Sequence, residues 1–232
     1  FMTKNIGVVG LGAMGRGMAA SLRRAGWNVH VCDVRLEAAQ AFAVDGGVAC
    51  ASPAELATHC EVIVSVVVNA AQTDTVLFGD GGAAAAMQPG SLFVMCSTVD
   101  PNVSVQFEQR LAALGLLYLD APISGGAAKA ASGEMTMMTS GTPAAYAKAG
   151  TALDAMAAKV YRLGDQAGNG SKVKIINQLL AGVHIAAAAE AMALGLREGV
   201  KAEDIYEVIT HSAGNSWMFE NRMAHVLAGD YT

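Results

Sequence analysis

Short runs of β-branched and apolar residues alternate with Ala-rich stretches along the first two-thirds of this 232-residue chain, and that alternation leaves few folds open. Ile6-Gly7-Val8-Val9, Asn28-Val29-His30-Val31-Cys32, the unbroken run Val62 to Val68, and Leu92-Phe93-Val94-Met95-Cys96 read as strands. Strands apolar at every position, rather than every second one, belong in a parallel sheet covered on both faces. Between them, Met14 to Ala25, Leu36 to Val44 and Val103 to Leu114 have helical spacing, and Pro53 and Pro101 stand where helices start. Alternating strands and helices imply an α/β, doubly wound sheet. Leu116 to Leu119 and Glu134 to Thr139 are expected to extend that same sheet. A helix is expected from Pro143 to about Met156, and a last strand from Lys159 to Leu163.

From Gly168 the texture becomes helical throughout. Ser171 to Arg197 reads as one long helix, apolar on most faces, and such a helix is expected to be buried on all sides. Ala202 to Thr210 and Ser216 to Leu227 read as two more helices. The boundary therefore falls near residue 165, with a sheet domain over 1–165 and an all-α domain over 166–232.

Charge and composition narrow the partners. With 15 basic and 20 acidic residues the formal charge is -5, which gives no electrostatic footprint for nucleic acid or an anionic membrane. Only 15% of residues are charged and 53% are hydrophobic, so extra burial in a homodimer or higher homo-oligomer interface is expected. The most apolar stretch, Ile175 to Ala189, is interrupted by Asn177, Gln178 and His184, so a membrane span is not expected. Cys32, Cys50, Cys60 and Cys96 show no metal-ligand spacing and read as buried free thiols; the five histidines form no metal-binding pattern, so no metal is expected. Lys4-Asn5 leads straight into a strand with no signal-peptide pattern, which points to the cytoplasm. Phe1 before Met2 reads as a cloning remnant.

The chemistry starts at Gly10-Leu11-Gly12-Ala13-Met14-Gly15, a G-x-G-x-x-G run between an expected strand and an expected helix. Gly10 permits a tight turn, Gly12 lets backbone approach a pyrophosphate, and Gly15 lets helix and strand pack closely. The diphosphate of a dinucleotide would then lie on a helix N-terminus. This makes 1–165 an NAD-binding domain of Rossmann type. Asp33 ends the second strand, where a carboxylate accepts hydrogen bonds from the adenine-ribose hydroxyls and repels a 2′-phosphate, so NAD is favoured over NADP. Arg35 would soften that preference, and an alternative role for Asp33 is a helix N-cap.

Asp120-Ala121-Pro122-Ile123-Ser124-Gly125-Gly126 can present adjacent amides and a hydroxyl to a carboxylate, or can be a simple loop. Lys174, Asn177 and Gln178 share one helix face by their i, i+3, i+4 spacing. Burial would lower the pKa of Lys174 toward the range useful for proton transfer. Spacing alone favours a surface lysine there. Lys172 points roughly the other way and is expected to be solvated.

These motifs, in this order and with Ser97-Thr98-Val99-Asp100-Pro101 between them, resemble the β-hydroxyacid dehydrogenase family, which includes 3-hydroxyisobutyrate dehydrogenases and tartronate semialdehyde reductases. The resemblance covers essentially the whole chain. It implies NAD-dependent oxidation of a small hydroxy acid, with Lys174 as the catalytic acid/base. Asn177 and Gln178 would place the substrate, and Ser124, Gly125 and Gly126 would hold its carboxylate. Thr98 would lie near nicotinamide and substrate. Val67, Val68 and Gln72 would line the cofactor beside Gly10, Leu11, Gly12, Ala13, Met14, Gly15 and Asp33.

Val67-Val68-Asn69-Ala70-Ala71-Gln72, the stretch Val173 to Ala186 and Ala213 to Arg222 resemble the branch acting on four-carbon sugar acids such as L-threonate. Asn215 and Ser216 would suit a polyhydroxy substrate, or serve as a helix N-cap. Many relatives have proline where Val68 stands and asparagine where Gln178 stands. Relatives also continue through further helices, so the all-α substrate and dimerisation domain is expected to be incomplete here. The alternatives are a 3-hydroxyisobutyrate or tartronate semialdehyde type of enzyme, and a dinucleotide-binding scaffold without turnover.

Overall fold

The computed structural model describes residues 4–230; Phe1 and Met2 lie outside them. The described residues divide into two compact units, one ending at Lys174 and one starting at Ile175.

The first unit is built on a parallel sheet of β1 (Asn5–Val9), β2 (Asn28–Cys32), β3 (Val48–Ala49), β4 (Val62–Ser65), β5 (Leu92–Met95) and β6 (Leu117–Asp120). Its order is β3-β2-β1-β4-β5-β6, so the winding reverses between β1 and β4. Alternate residues of one strand serve opposite cores. Val62 and Val64 of β4 pack into one cluster with Ile6, Val8 and Val94, while Ile63 packs into the other with Phe93, Met95 and Leu56. That two-sided burial is why the strands are apolar at every position.

Helices α1 (Gly15–Arg24), α2 (Leu36–Val44), α3 (Pro53–His59), α4 (Ala70–Phe78) and α5 (Pro101–Ala112) connect the strands. Pro53 and Pro101 both open their helices, with Ser52 and Asp100 as side-chain caps. The run Val62 to Val68 is shorter as a strand than its composition suggests. It leaves the sheet after Ser65 and turns toward α4.

Two expectations fail in this unit. The segment Glu134 to Thr139 does not extend the main sheet. As β8 (Met135–Thr139) it forms a separate sheet, antiparallel to β7 (Ile123–Ser124) and parallel to β9 (Ala157–Arg162). A bridge between Asp120 and Ser140 joins the two sheets. Strand propensity is local, whereas the choice of partner is made by the reversal through α6 (Gly126–Ser132), which packs on α1 and brings β8 back antiparallel along Asp120 to Ser124. The helix expected from Pro143 to Met156 is two, α7 (Pro143–Ala149) and α8 (Ala152–Met156), separated at Gly150.

The long helix is α9 (Asn169–Arg197), and the boundary between the units falls inside it. In the second unit, α9 beyond Lys174 is followed by α10 (Ala202–Thr210) and α11 (Trp217–Ala228). A small core of Ala188, Met192, Phe219 and Met223 holds them together. The expectation that α9 is buried on all sides does not hold. Ile175, Ile176, Leu180 and Val183 are exposed, and Leu179 is 65% exposed. An all-round apolar pattern requires cover on every face, but α10 and α11 supply it on one. By length and composition α9 is also apolar enough to cross a membrane.

Candidate active site

Because the main sheet is parallel, the carboxyl ends of all its strands lie along one edge, where open α/β sheets bind ligands. On that edge the glycine loop, Asp33, Val66 to Gln72 and Cys96 to Thr98 follow β1, β2, β4 and β5, and Asp120 ends β6.

The glycine loop is shaped by close approach. Gly10 has φ +92°, and a Cβ there would lie 2.5 Å from the Val66 carbonyl oxygen; one on Gly15 would meet the Gly10 carbonyl oxygen at 1.9 Å. A Cβ on Gly12 would meet nothing within 4 Å. Gly10 and Gly15 are thus required by the protein's own packing, while Gly12 faces open space. Leu11, Ala13 and Met14 complete the turn into α1, whose start has no side-chain cap and no acidic residue in its first turn. Amides at an uncapped helix start are available to an anion.

Asp33 is not the N-cap of α2; Arg35 occupies that position without a side-chain cap bond. Instead, Asp33 Oδ2 accepts from the Leu11 amide at 2.7 Å and Oδ1 from the Arg35 amide at 2.9 Å. Each carboxylate oxygen has a second acceptor position, so the residue can both hold the glycine loop and receive ribose hydroxyls. Arg35 Nε lies 3.7 Å from Oδ1.

The Val67–Val68 turn is pinned from two sides. Ser97 Oγ donates to the Val67 carbonyl at 2.8 Å, and Gln72 Oε1 accepts from the Val68 amide at 2.8 Å. Asn69 caps α4 by accepting from the Gln72 amide. Val68 and Thr98 are exposed. Open space at Gly12, an uncapped helix start and a carboxylate at the end of β2 fit a dinucleotide.

Ser124 ends β7, and the chain turns sharply through Gly125 and Gly126 to start α6. Lys174 is only 7% exposed, against the surface position that spacing alone favours. The first turn of α9 is drawn into the protein, and a Cβ on Gly170 would lie 2.4 Å from the Met138 carbonyl oxygen. Burial lowers the pKa of Lys174 from its ordinary value. Lys172 is exposed.

In the second unit, Asn177 is half-buried and donates to Gln178 Oε1 at 3.2 Å. Ser216 caps α11 by accepting from the Phe219 amide, the alternative foreseen for it. Asn215 donates to the Thr210 carbonyl, and its own side-chain oxygen is buried without a partner.

All four cysteines are buried free thiols, as expected, and burial pushes Cys60 and Cys96 up to about 12. Among the described residues no cluster of three or more His, Cys, Asp or Glu side chains is placed to hold a metal ion. Sequence reasoning passed over Asp120 itself. It opens the Asp-Ala-Pro-Ile-Ser-Gly-Gly stretch, yet its carboxylate turns away from that loop to the start of α9. An acidic residue in a long apolar neighbourhood was the available signal.

The chain is similar to known proteins over its length. Residues 5–164 match the family model for the NAD binding domain of 6-phosphogluconate dehydrogenase. Residues 168–232 match the model for the NAD-binding part of NADP-dependent 3-hydroxyisobutyrate dehydrogenase. The chain is 68% identical over 231 residues to the L-threonate dehydrogenase of Cupriavidus necator, covering 100% of this chain and 78% of that protein. It is 48% identical to the L-threonate dehydrogenase of Escherichia coli K12, covering 98% of this chain and 76% of that one. A crystal structure of 3-hydroxyisobutyrate dehydrogenase from Salmonella typhimurium superposes with a TM-score of 0.93 at 51% identity, covering 99% of this chain and 80% of that one.

Fold, glycine loop and relatives together define an oxidoreductase, an NAD(P)-dependent hydroxyacid dehydrogenase acting on CH–OH. More narrowly, the chain belongs to the 3-hydroxyisobutyrate dehydrogenase family.

Proposed function

We propose that the chain oxidises L-threonate at C2 to 2-dehydro-L-threonate, with NAD preferred over NADP and Lys174 as the acid/base. The observation that carries this reading is the burial of Lys174 at the start of α9, with its pKa lowered. A lysine there is neutral in a larger fraction than an ordinary one, and a neutral amine can take a proton. The 68% identity to an L-threonate dehydrogenase supports the substrate. In this reading 1–165 is the NAD-binding domain and 166–232 the all-α substrate and dimerisation domain.

The chain's residues divide the work as follows. The amides at the start of α1 and the open side of Gly12 hold the cofactor diphosphate, and Asp33 receives the adenine ribose. Val67, Val68, Gln72 and Thr98 line the cofactor. Ser124 and the Gly125 and Gly126 amides hold the substrate carboxylate. Asn177 and Gln178, one turn further along α9, orient the hydroxyl-bearing carbon. Bound NAD supplies the hydride acceptor. Lys174 Nζ takes the hydroxyl proton as the C2 hydrogen leaves with its bonding pair as hydride and the C=O bond forms, so one hydride and one proton leave the substrate. In reverse, the lysine ammonium returns that proton to the oxygen.

The exposed apolar face of α9 supports assembly with a second copy, as a homodimer or larger homo-oligomer, in the cytoplasm. Lys172, Lys174 and Asn177 within its first turns favour that cover over a bilayer. The test is the initial rate of NADH formation with L-threonate beside D-threonate, 3-hydroxyisobutyrate and glycerate. Selective turnover of L-threonate is expected. Turnover of another acid alone would discard the substrate and keep the class, and cofactor binding without any turnover would favour a scaffold.

A further inference from the structure

We propose that Asp120 is the positioning residue that sets the acid/base lysine, so that one buried carboxylate holds the start of α9 at the depth where Lys174 works. The inference rests on the assignment of Lys174. Asp120 is fully buried at the end of β6. Its Oδ2 accepts from the Gly168 amide at 3.0 Å, the Ser171 amide at 2.9 Å and Ser140 Oγ at 3.2 Å, and its Oδ1 from Ser171 Oγ at 2.7 Å. Ser140 Oγ in turn accepts from the Gly170 amide at 2.9 Å. Three amides at the beginning of α9, which helical geometry leaves without partners in their own helix, thus converge on two side chains from elsewhere in the fold.

Ser171 and Lys174 are three residues apart, one turn along the same helix face. Whatever fixes Ser171 fixes the base of the lysine side chain. Asp120 forms no salt bridge among the described residues, and a buried carboxylate without a cation is costly unless it is fully hydrogen-bonded. Here all of its bonds run to α9 or to Ser140, which itself holds α9. Its backbone also bridges to Ser140, joining the two sheets at this point. The carboxylate therefore ties the start of α9, and with it Lys174, to β6, which continues through Ala121 and Pro122 into β7 and Ser124.

The test uses Asp120→Ala, Asp120→Asn, Lys174→Ala and the double variant Asp120→Ala/Lys174→Ala. Turnover with L-threonate is measured beside the rate at which trinitrobenzenesulfonate labels Lys174 in cofactor-free protein, located by mass spectrometry. Loss of the hydrogen bonds should raise Lys174 labelling and lower kcat by about tenfold or more, with KM for NAD and labelling of exposed Lys172 nearly unchanged. Asp120→Asn, whose amide oxygen still accepts from Gly168 and Ser171, should recover most of both. In the Lys174→Ala background, Asp120→Ala should cost little more, because a residue acting through the lysine has nothing left to position.

Equal losses in both backgrounds with unchanged labelling would overturn the positioning role and leave the lysine assignment standing. Near-normal turnover by Lys174→Ala would overturn the lysine assignment, whatever the labelling shows. If Asp120→Ala does not fold, Ser171→Ala removes one hydroxyl and should still raise labelling by about threefold; no rise in it would count against the proposal.

Discussion

The carboxylate of Asp33 reaches from the end of β2 to the Leu11 amide, 2.7 Å away in the loop that leaves β1. One residue thereby shapes the glycine loop and presents negative charge where an adenine ribose would lie. These two roles separate by substitution. Asp33→Asn keeps an acceptor for Leu11 and removes the charge, so NAD-over-NADP selectivity should fall while NAD binding weakens little. Asp33→Ala should lose both, with NAD binding weaker by about tenfold, as for one charge-assisted hydrogen bond. Equilibrium titration with both cofactors measures this. Unchanged selectivity in both variants would exclude the ribose role.

Gly12 tests the loop differently. A methyl group there meets no protein atom within 4 Å, whereas one on Gly15 would lie 1.9 Å from a carbonyl oxygen. Gly12→Ala should therefore melt close to the unsubstituted protein yet bind NAD more weakly. Gly15→Ala should lower the melting temperature itself. Thermal melts with and without NAD distinguish them, and full NAD affinity in Gly12→Ala would place the pyrophosphate elsewhere.

Lys174 should show its burial in two measurements. The pKa is lowered, so the neutral base becomes abundant below the ordinary 10.5. The oxidation rate should rise with pH and level off short of that value. Lys174→Ala should lose this limb and at least ~10²-fold in turnover. The sign for stability is opposite to that for activity. A lowered lysine pKa means that folding disfavours the charged form, a cost present below the folded pKa and absent above 10.5. Lys174→Met should accordingly raise the melting temperature at neutral pH while abolishing turnover; a lower melting temperature would contradict a desolvated lysine.

His30 should make the fold acid-sensitive. Its ring is buried and stacked on His59 at 5.2 Å between centroids, and burial, with His59 next, lowers its pKa below 6.5. An unfolded chain takes up a proton near 6.5 that the folded chain resists, so stability should decline as pH falls from there to the lower folded value. His30→Gln should flatten the decline. Melting temperatures across that interval give the answer, and parallel curves for both proteins would exclude His30 as the source.

Much of the main sheet can be read along the chain because each of its helices connects strands lying near it in sequence. Apolar runs such as Leu92 to Met95 are apolar throughout because Leu92 and Val94 face one core and Phe93 and Met95 the other. Val66 to Val68 are as apolar as Val62 to Val64, but the Ser97 and Gln72 hydrogen bonds bend them out of the strand. Those bonds come from residues whose placement the run itself does not contain. The partner of β8 is hidden in the same way.

For the candidate site, the glycine spacing determined the loop, since Gly10 and Gly15 are demanded by contacts within one strand–turn–helix segment. Residue order along the chain also determined the alternation of strands and helices, the long α9 and the free, buried state of the thiols. Tertiary structure alone decided that Lys174 is buried. The helix start that carries it is held by Asp120 and Ser140 and packed on the Met138 carbonyl, which lie 34 or more positions from Lys174 in sequence. It also decided that α9 is left largely open in the second unit. Periodicity states which faces of a helix are apolar, because side-chain direction follows from local geometry. What covers those faces depends on long-range packing, and that is settled only when the whole chain has closed on itself.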